Sequence, residues 1–479
     1  MHGKRIGRWA AIALAAASCV TAPAIARADG YSFAQGDEGA VAAGAVVATS
    51  SDPGSAWYNP AGLALNRRTK FNVSASLYGI RFDHVDDGFA FQIDGQQLEA
   101  QDLSSTQVLI LSPSVVMATA LKPGLTLGLG VFVTQYGYGW LSADFSAQVE
   151  DPYYGQLDIL SYYDSDQNRV RYHVGPTLGW SVTPKLRLGF HLYGIYESYV
   201  NNQVVTMSVT GGYQAGVTEQ IKDSPIRWGI QPGVGLQWEI LPQLRFGLMV
   251  RGPAMVIAET PEQRIATTVS FVAPPNVLYP GDPGAAVSTS SVSPVRPNGG
   301  FGLLQPLQIT GGFAWYYDHG WIDVEFEYRM GLENKELLVD LSPTWNVRAG
   351  MIHEVSRGLS IGGGVFTNRT DQPNGGLNSP VSLYGFTVGL QTRTYLRGSP
   401  DPVEPPAEGA PAPREKPLVF GTTLSLRFAG GSGSVRSLAV GYDTRCLAAV
   451  GVNFCALPGQ TTKSSTYAVS LYLGSSLEF

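Results

Sequence analysis

The sequence has few charged residues and, beyond its first 28 residues, no long apolar run. Asp, Glu, Lys and Arg make up 15% of the 479 residues, whereas they make up about a quarter of a typical soluble domain. No later apolar run approaches the roughly 20 residues that a transmembrane helix needs. A chain with so few charged residues is unlike an ordinary soluble domain, and the lack of long apolar runs excludes a bundle of membrane helices.

Motifs for nucleotide binding or catalysis are also missing. The pair Gly128-Leu-Gly130 lacks a third glycine and opens no helix, and the glycines around Ser432 follow no strand-to-helix turn that would expose a nucleophile. The histidines beyond the first 28 residues show no pair at metal-ligand spacing, and they are His84, His173, His191, His319 and His353. We therefore predict no enzyme activity, no metal site and no cofactor, although a Ser, a His and an acid on different strands would escape this test.

The first 28 residues are typical of a secretory signal peptide. A basic start is followed by an apolar run at 10–20 and by small residues at 24–28. We expect cleavage after Ala28, which removes four basic residues and no acid, so the formal net charge falls by four from −6 to −10. Because nucleic acids bind basic surfaces, an acidic mature chain argues against nucleic acid as a partner.

The rest of the chain is rich in residues typical of strands and turns, and the whole chain contains 57 Gly, 23 Tyr and 9 Trp. Alternating segments of about 10 to 14 residues, joined in turn by tight connections and by polar loops of about 15 to 40 residues, predict about fourteen strands. Short turns at one rim and long loops at the other are typical of an outer-membrane barrel. We predict an all-β fold, an antiparallel transmembrane β-barrel of about 14 strands over residues 67–479. The predicted strands are 70–82, 107–120, 125–138, 167–182, 186–199, 225–240, 244–257, 303–317, 321–333, 344–355, 359–368, 381–395, 417–428 and 465–479.

Four of the tight connections have similar sequences. Residues 121–130, 182–190, 240–248 and 355–363 each contain a turn with Pro or Gly and then an alternating strand that begins with a large apolar residue. An even number of strands places both ends of the barrel at the rim with the tight turns, which is the periplasmic side in bacterial barrels.

Alternation along each strand predicts which side chains face lipid and which face the lumen. The strand 321–333 has an apolar face and an acidic face, with Ile322, Val324, Phe326 and Tyr328 outward and Asp323, Glu325 and Glu327 inward. A row of three acids needs water or opposite cations. The same alternation predicts that the side chains of Arg169, Arg171 and Arg348 face the lumen. We predict a structural ladder of ions in the lumen, with a substrate site as the alternative.

Three segments fall outside this pattern. The Pro-rich segment 398–417 is predicted to be an extended insertion at the periplasmic rim, or a tether for a periplasmic partner. The polar segment 258–302 is predicted to be a long outer loop. Cys446 and Cys455 lie close together in the last outer loop, where an oxidising compartment favours a disulfide between them.

Residues 52–65 predict a compact set of turns before the first strand. Asp52-Pro-Gly is a turn sequence, Asn59 suits a helix N-cap and Pro60 suits the first helical position. A plain loop is the alternative. The stretch Asn59-Pro60-Ala61-Gly62, with the small residues before it, resembles the amino-terminal region of the FadL-type family, which transports long-chain fatty acids and aromatic hydrocarbons across outer membranes.

Three further stretches are similar to that family. Residues 128–137 resemble its third strand, 345–366 resemble a late hairpin, and Phe479 resembles the aromatic end that the barrel-assembly machinery uses. The resemblance implies a barrel of about fourteen strands with a hatch of short helices and turns, here residues 29–66, inside the lumen. The opening Gln35–Gly39 departs from the family's usual Gly-Leu-Gly-like start.

The resemblance also implies a function. This is passive, hatch-gated uptake of hydrophobic molecules across the outer membrane of a Gram-negative bacterium, with lateral release into the membrane. Candidate cations for a carboxylate head group are Arg169, Arg171 and Arg348. Candidate aromatics for a capture groove, or alternatively for an interfacial girdle, are Phe89, Phe91, Tyr136, Tyr138 and Trp140.

The expected partners follow from the same resemblance. We expect a monomer that contacts hydrophobic small molecules, outer-membrane lipid with lipopolysaccharide, and the barrel-assembly machinery. Two rival functions remain open, which are a surface adhesin or structural barrel with a sealed lumen and an outer-membrane lipid hydrolase.

Overall fold

The structure is a computed structural model. It describes residues 34–93, 96–151, 155–211, 214–260, 263–273, 285–294, 302–335, 337, 339–371, 381–397, 418–442 and 454–479. The signal peptide 1–28, the Pro-rich segment 398–417 and Cys446 lie outside the described residues, and the side chains of Phe91, Tyr138 and Cys455 lie outside them too. The predictions that concern them stay predictions.

Three short helices precede the first strand. They are α1 (Asp37–Val41), α2 (Ser55–Tyr58) and a 3₁₀ helix (Pro60–Leu65). Asn59 caps the 3₁₀ helix, because its side chain accepts a hydrogen bond from the N–H of Ala61, and Pro60 stands where no N–H is needed. Within the described residues, no helix has the length and apolar character needed to cross a membrane.

The described residues form 21 strands. They are β1 (Lys70–Ile93), β2 (Gln96–Lys122), β3 (Leu125–Asp151), β4 (Gly155–Ser181), β5 (Leu186–Thr210), β6 (Gln214–Asp223), β7 (Ile226–Leu241), β8 (Leu244–Arg251), β9 (Ala254–Thr260), β10 (Gln263–Ala273), β11 (Ala285–Pro294), β12 (Gly302–Gln305), β13 (Gln308–Tyr317), β14 (Gly320–Arg329), β15 (Leu332–Asn334), β16 (Val339–Leu341), β17 (Thr344–Ser356), β18 (Leu359–Asn368), β19 (Leu383–Arg397), β20 (Leu418–Tyr442) and β21 (Phe454–Glu478).

Fourteen of these strands close into one antiparallel barrel. Around the wall they follow the order of the chain: β1, β2, β3, β4, β5, β7, β8, β13, β14, β17, β18, β19, β20 and β21. The ladder between β21 and β1 completes the ring. The predicted all-β barrel of about 14 strands is confirmed.

The strands are longer than predicted at the rim opposite the tight turns. Strands β1 to β5 contain 24 to 27 residues each. The segment 258–302, predicted as a loop, contains β10 and β11, which pair with each other while β10 also pairs with β6. Toward this rim both faces of a strand mix apolar and polar side chains, as Ile159 and Ser161 do on the buried face of β4, so the ladder of backbone hydrogen bonds continues without the apolar alternation from which strands were predicted.

The two faces of each wall strand differ in chemistry. On β14, Val324 is 50% exposed, whereas its neighbours Asp323 and Glu325 are 0% and 3% exposed. Other wall strands present further exposed apolar side chains, among them Phe313, Trp315, Val347, Val365 and Leu473. A continuous apolar outer surface of this kind is stable in lipid, so the barrel is a transmembrane barrel.

The wall is incompletely joined between β2 and β3. These two strands pair from the tight turn at Lys122 and Leu125 up to Ser114 and Phe132, where their ladder stops. Beyond that height β2 still pairs with β1 and β3 still pairs with β4. Pro113, which has no N–H to donate, stands where the strands separate. We call this place the β2–β3 seam.

A charge on the outward face tests whether this surface lies in lipid. Val324 is near the middle of β14, and we expect Val324→Arg to destabilise the folded barrel by about 2 to 4 kcal/mol. Val355, outward on β17 beside a tight turn, should tolerate Val355→Arg at a cost of about 1 kcal/mol or less, because charge is cheaper near the interface. The measurement is denaturant unfolding of the barrel in phospholipid vesicles, and equal losses at both positions would contradict the assignment.

Candidate functional site

Residues 34–66 lie inside the barrel, and we call them the plug segment. Residues 35–50 and 59–64 are buried throughout. Helix α1 packs against β17, β18, β19, β20 and β21, whereas the 3₁₀ helix packs against β3, β4, β5 and β7. The plug segment therefore contacts both sides of the wall.

The inward acids of β14 hold the plug segment by its backbone. Glu325 Oε2 accepts hydrogen bonds from the N–H groups of Val46 and Val47 at 3.2 and 3.1 Å. Asp323 Oδ2 accepts one from the N–H of Ala48 at 3.1 Å. Bonds from N–H groups to a carboxylate are charge-assisted and stronger than those to a neutral acceptor. The row of acids is therefore a seat for the plug segment.

Arg348 neutralises this row from β17. Its two terminal nitrogens donate to Glu325 Oε1 and to Glu327 Oε2, each at 2.8 Å. Glu327 also pairs with Arg329 at 2.9 Å. Arg348 was a candidate anchor for a carboxylate ligand, but its hydrogen-bonding edge is occupied by the acids of the wall. The geometry places it in the ladder that supports the plug segment.

Asn59 joins the plug segment to the wall. Besides capping the 3₁₀ helix, it donates through Nδ2 to the carbonyl oxygen of Val47 at 2.7 Å and to that of Leu236 on β7 at 3.0 Å. Gly62 follows where a side chain would collide with the carbonyl group of Ser50. These contacts give a physical reason for a compact turn at Asn59-Pro60-Ala61-Gly62.

Each of the four similar turn-and-strand units contributes an inward glycine that touches the plug segment. A Cβ atom at any of these glycines would come to 3.0 Å or less from a plug atom. The wall backbone and the plug segment thus pack without an intervening side chain. The glycines are Gly128, Gly189, Gly247 and Gly362, and they face Leu63, Ala61, Val47 and Val41, in that order.

The beginning of the plug segment contains three buried or half-buried acids. Asp52 Oδ2 accepts hydrogen bonds from the N–H groups of Asp37 and Glu38 at 3.0 and 3.2 Å and so caps α1. Asp37 accepts from Asn72 Nδ2 at 2.9 Å and from the hydroxyl of Tyr472 at 3.0 Å. Burial raises the pKa of Asp37 to about 6. Burial, followed by the nearby charge of Glu38, raises the pKa of Asp52 well above its usual value.

An aromatic cluster lies where the plug segment meets β3, β4 and β5. The ring of Trp57 lies 5.4 Å from that of Phe132, 5.2 Å from that of His173 and 6.1 Å from that of Tyr193, measured between centroids. His191 stacks on Tyr193 at 4.2 Å. The hydroxyl of Tyr193 donates to the carbonyl oxygen of the residue before Trp57. Trp57 is half-buried, so part of its surface remains available for contact.

Arg251 of β8 borders this cluster. Its guanidinium carbon lies 4.1 Å from the ring centre of Trp57, and one terminal nitrogen donates to the carbonyl oxygen of Trp57 at 2.8 Å. The other donates to Gln308 at 3.2 Å. Among the described residues, Arg251 has no carboxylate within ion-pair distance and its Nε has no hydrogen-bond partner. Linear spacing did not reveal this cation, because Trp57 and Arg251 are far apart in sequence.

Arg169 and Arg171 belong to a separate cluster of ions. Arg169 and Arg171 donate to Glu197 Oε2 at 3.1 and 2.6 Å. Arg227 donates to Glu197 Oε1 at 2.9 Å and to Glu259 at 2.8 Å. The two predicted cations therefore face the lumen, as alternation indicated, but they serve an internal network of acids and bases. Sequence reasoning did not identify Glu197, Arg227 or Glu259.

The three described aromatics of the predicted capture groove lie in different surroundings. Phe89 is fully buried and Trp140 is 51% exposed. Tyr136 packs against a buried cluster that contains Phe366 and Leu383. The capture groove stays a prediction.

The plug segment also contacts the β2–β3 seam. Gln35 Nε2 donates to the carbonyl oxygen of Val133 at 2.8 Å, one residue beyond the end of the β2–β3 ladder. Phe132, the last residue of that ladder on β3, belongs to the aromatic cluster. The aromatic cluster, the seam and the start of the plug segment are therefore adjacent.

A larger residue at a glycine seat should displace the plug segment. A Cβ at Gly189 would collide with the backbone of Ala61 and Pro60, so we expect Gly189→Val to open the lumen and raise ion conductance in planar bilayers several-fold. Gly194 is the matched control on the same strand, since a Cβ there would meet only the carbonyl oxygen of Val174, at 3.5 Å. Gly194→Val should leave conductance unchanged, and a rise in both variants would contradict the role of the seat.

Attachment of α1 should weaken as the pH rises. Docking raises the pKa of Asp37 to about 6, so the protonated form is favoured when docked. This stabilisation is complete below about pH 4, the ordinary value, and is lost as the pH rises through about 6. We expect hydrogen-exchange protection at α1, normalised to intrinsic rates, to fall over that window. Asp37→Asn should flatten the dependence of this protection on pH. Asp340→Asn, at an exposed acid on β16, should leave the dependence unchanged. Protection that increases with pH would overturn the expectation.

Comparison with solved structures places this architecture among known channels. A FadL homologue from Pseudomonas aeruginosa aligns with a TM-score of 0.55 and 12% identity over 94% of this chain and 100% of that chain. The toluene transporter TodX from P. putida aligns with a TM-score of 0.51 and 12% identity over 95% and 99% of the two chains. No protein-family model and no curated protein matches the sequence. The chain has the fold of the FadL-type outer-membrane channels.

Proposed function

We propose that the protein takes up small hydrophobic molecules across the outer membrane, passively and under the control of the plug segment. The observation that carries this proposal is the position of the aromatic cluster. Trp57 of the plug segment packs on Phe132 and Tyr193 of the wall, at the height where β2 and β3 separate. A molecule bound against Trp57 would lie beside both the plug segment and a way out through the wall.

The physical basis is the transfer of an apolar surface out of water. A water-filled pore offers an apolar solute no favourable transfer free energy, whereas an aromatic surface does, at about 25 cal/mol per Å² buried. An aromatic solute that buries about 150 Å² gains about 4 kcal/mol in this way. The aromatic cluster is therefore suited to hold a hydrophobic molecule in transit.

Release is proposed to be lateral, through the β2–β3 seam. Above Ser114 and Phe132 the two strands are not joined to each other by a backbone ladder. Gln35 bonds to Val133 at this place. Movement of Gln35 would free the edge of β3, so the plug segment acts as a hatch and the solute passes into the lipid without crossing the periplasmic turns.

The charge of Arg251 favours a substrate with a carboxylate head. Arg251 is half-buried and, among the described residues, has no carboxylate within ion-pair distance, so an anionic ligand would lower the cost of holding its charge there. The aromatic rings around it suit the apolar part of the same molecule. We therefore propose a long-chain fatty acid as the preferred substrate, with aromatic hydrocarbons as the second class because the cluster of rings alone would bind them.

Uptake by variants of Arg251 tests both the site and the substrate class. Arg251→Met keeps a long side chain but removes the charge, and we expect uptake of labelled oleate to fall about tenfold or more, since a hydrogen bond to a charged group contributes about 1.5 to 3 kcal/mol. Uptake of labelled toluene should change less than about twofold. The assay uses cells of a host strain that lacks its own channel of this type.

Arg245→Met is the matched control. Arg245 lies on the same strand as Arg251 and also stacks over an aromatic ring, that of Tyr316, at 4.5 Å. The variant Arg245→Met should leave the uptake of both oleate and toluene unchanged. Equal losses for oleate and toluene in Arg251→Met would contradict the carboxylate assignment, and no loss for either would contradict the site.

Two further measurements address the rival functions. Deleting residues 29–66 should abolish selective uptake, and unchanged uptake with only general leakage would favour an adhesin or structural barrel. Substituting each lumen Ser and His and measuring phospholipid turnover addresses a lipid hydrolase, and a loss of turnover would overturn the proposed transport function.

A further inference from the structure

Three potential metal ligands converge on the outer side of the wall. His84 Nε2 lies 3.1 Å from Asp86 Oδ1 and 3.8 Å from Asp102 Oδ2. One ligand atom from each of the three residues lies within 4.8 Å of the others. His84 and Asp86 belong to β1, and Asp102 belongs to β2, so the pairing of these two strands brings the three together.

Two of these ligand atoms are held in place by contacts behind them. The Nδ1 atom of His84 is hydrogen-bonded to the hydroxyl of Ser104 at 2.9 Å, which leaves Nε2 directed at the two carboxylates. The N–H of Asp87 donates to Asp102 Oδ1 at 2.9 Å, which leaves Oδ2 directed at His84. Metal-binding histidines characteristically have their second ring nitrogen fixed by such a contact.

The charge around these ligands also favours a cation. Among the described residues, neither Asp86 nor Asp102 has a Lys or Arg within ion-pair distance, and His84 is the ion-pair partner that both of them have. With a neutral imidazole the two carboxylates carry two negative charges at one place. A divalent ion balances these two charges.

We propose that His84, Asp86 and Asp102 bind a first-row divalent metal ion, with Zn²⁺ as the first choice. One imidazole nitrogen and two carboxylates are common zinc ligands, whereas Ca²⁺ and Mg²⁺ prefer oxygen alone. The side chains are 44%, 48% and 60% exposed, so water has room to complete the coordination.

The location suggests what the ion does. The pairing of β1 and β2 shifts register between Val85 and Phe89, next to these ligands. His84 lies on the same outward face of β1 as Phe82, whose side chain is 48% exposed. It is two residues nearer than Phe82 to the rim opposite the tight turns. The ion would cross-link β1 and β2 just above the lipid-facing surface. Spacing along the sequence missed this site, because the ligands lie on two strands.

Metal titration of the whole chain tests this proposal. The untagged protein in detergent, stripped with EDTA and dialysed, is titrated with Zn²⁺ by calorimetry. We expect about one ion per chain with a Kd of about 10 μM or tighter. His84→Gln and Asp102→Asn should each weaken binding about tenfold or more. Bound Co²⁺ should show a visible spectrum that His84→Gln abolishes.

Asp144→Asn is the control, because it removes one negative charge from an exposed position on β3, a strand that carries none of the three ligands. Its Zn²⁺ affinity should stay within about twofold of the unaltered protein. Heat-dependent electrophoretic mobility checks that each variant folds. The proposal is overturned by the absence of saturable binding, by an equal loss in Asp144→Asn, or by tighter binding of Ca²⁺ than of Zn²⁺.

Discussion

A strand inside lipid has no water to satisfy its backbone, and this constraint governs the whole molecule. The wall meets it by closing, so that each of the fourteen strands pairs with a neighbour on both sides along at least part of its length, and β2 and β3 pair with each other between their tight turn and the β2–β3 seam. Closure leaves a lumen, and the plug segment inside it has backbone groups of its own to satisfy. Glu325 and Asp323 accept N–H groups of the plug segment, and Asn59 donates to a wall carbonyl. The inward polar side chains complete the hydrogen bonding of the segment they enclose.

The same enclosure determines where side chains are small and where they are charged. The plug segment rests directly on the wall backbone at positions such as Gly189 and Gly247, so these strands have glycine where a larger residue would collide. Charges are placed where they are paired, as Arg348 is with Glu325 and Glu327. Arg251 differs, since among the described residues it stacks on an aromatic ring without an acid. Its place against the ring of Trp57, beside the aromatic cluster and the β2–β3 seam, distinguishes this cation from those of the structural ladder and from Arg245, which stacks on Tyr316.

Alternation predicted the number and order of the membrane-level strands, because lipid on one side and water or protein on the other leaves a period of two in the sequence. It also predicted correctly that Arg169, Arg171 and Glu325 point inward. It could not predict their partners, since the contact of Arg171 with Glu197 depends on the register between β4 and β5. Trp57 and Arg251 were missed for the same reason. The upper halves of β1 to β5 were missed because apolar and polar side chains are mixed on the same face there, as Ile159 and Ser161 are on β4, so the alternation in the sequence is weak while the backbone ladder continues.

The plug segment is held unequally along its length. Its middle is fixed by the carboxylates of Asp323 and Glu325, of which Glu325 is paired with Arg348. Its start is held by neutral donors. The amide of Asn72 and the hydroxyl of Tyr472 donate to the buried Asp37, and the amide of Gln35 donates to the carbonyl oxygen of Val133 in the wall. Asp37 and Asp323 have no Lys or Arg within ion-pair distance among the described residues, so Glu325, paired with Arg348, is the charge-paired attachment and it lies in the middle. On the transport function proposed above, opening would begin at residues 35–38, the end of the plug segment that touches the β2–β3 seam, while the part seated on the glycines and acids would stay in place.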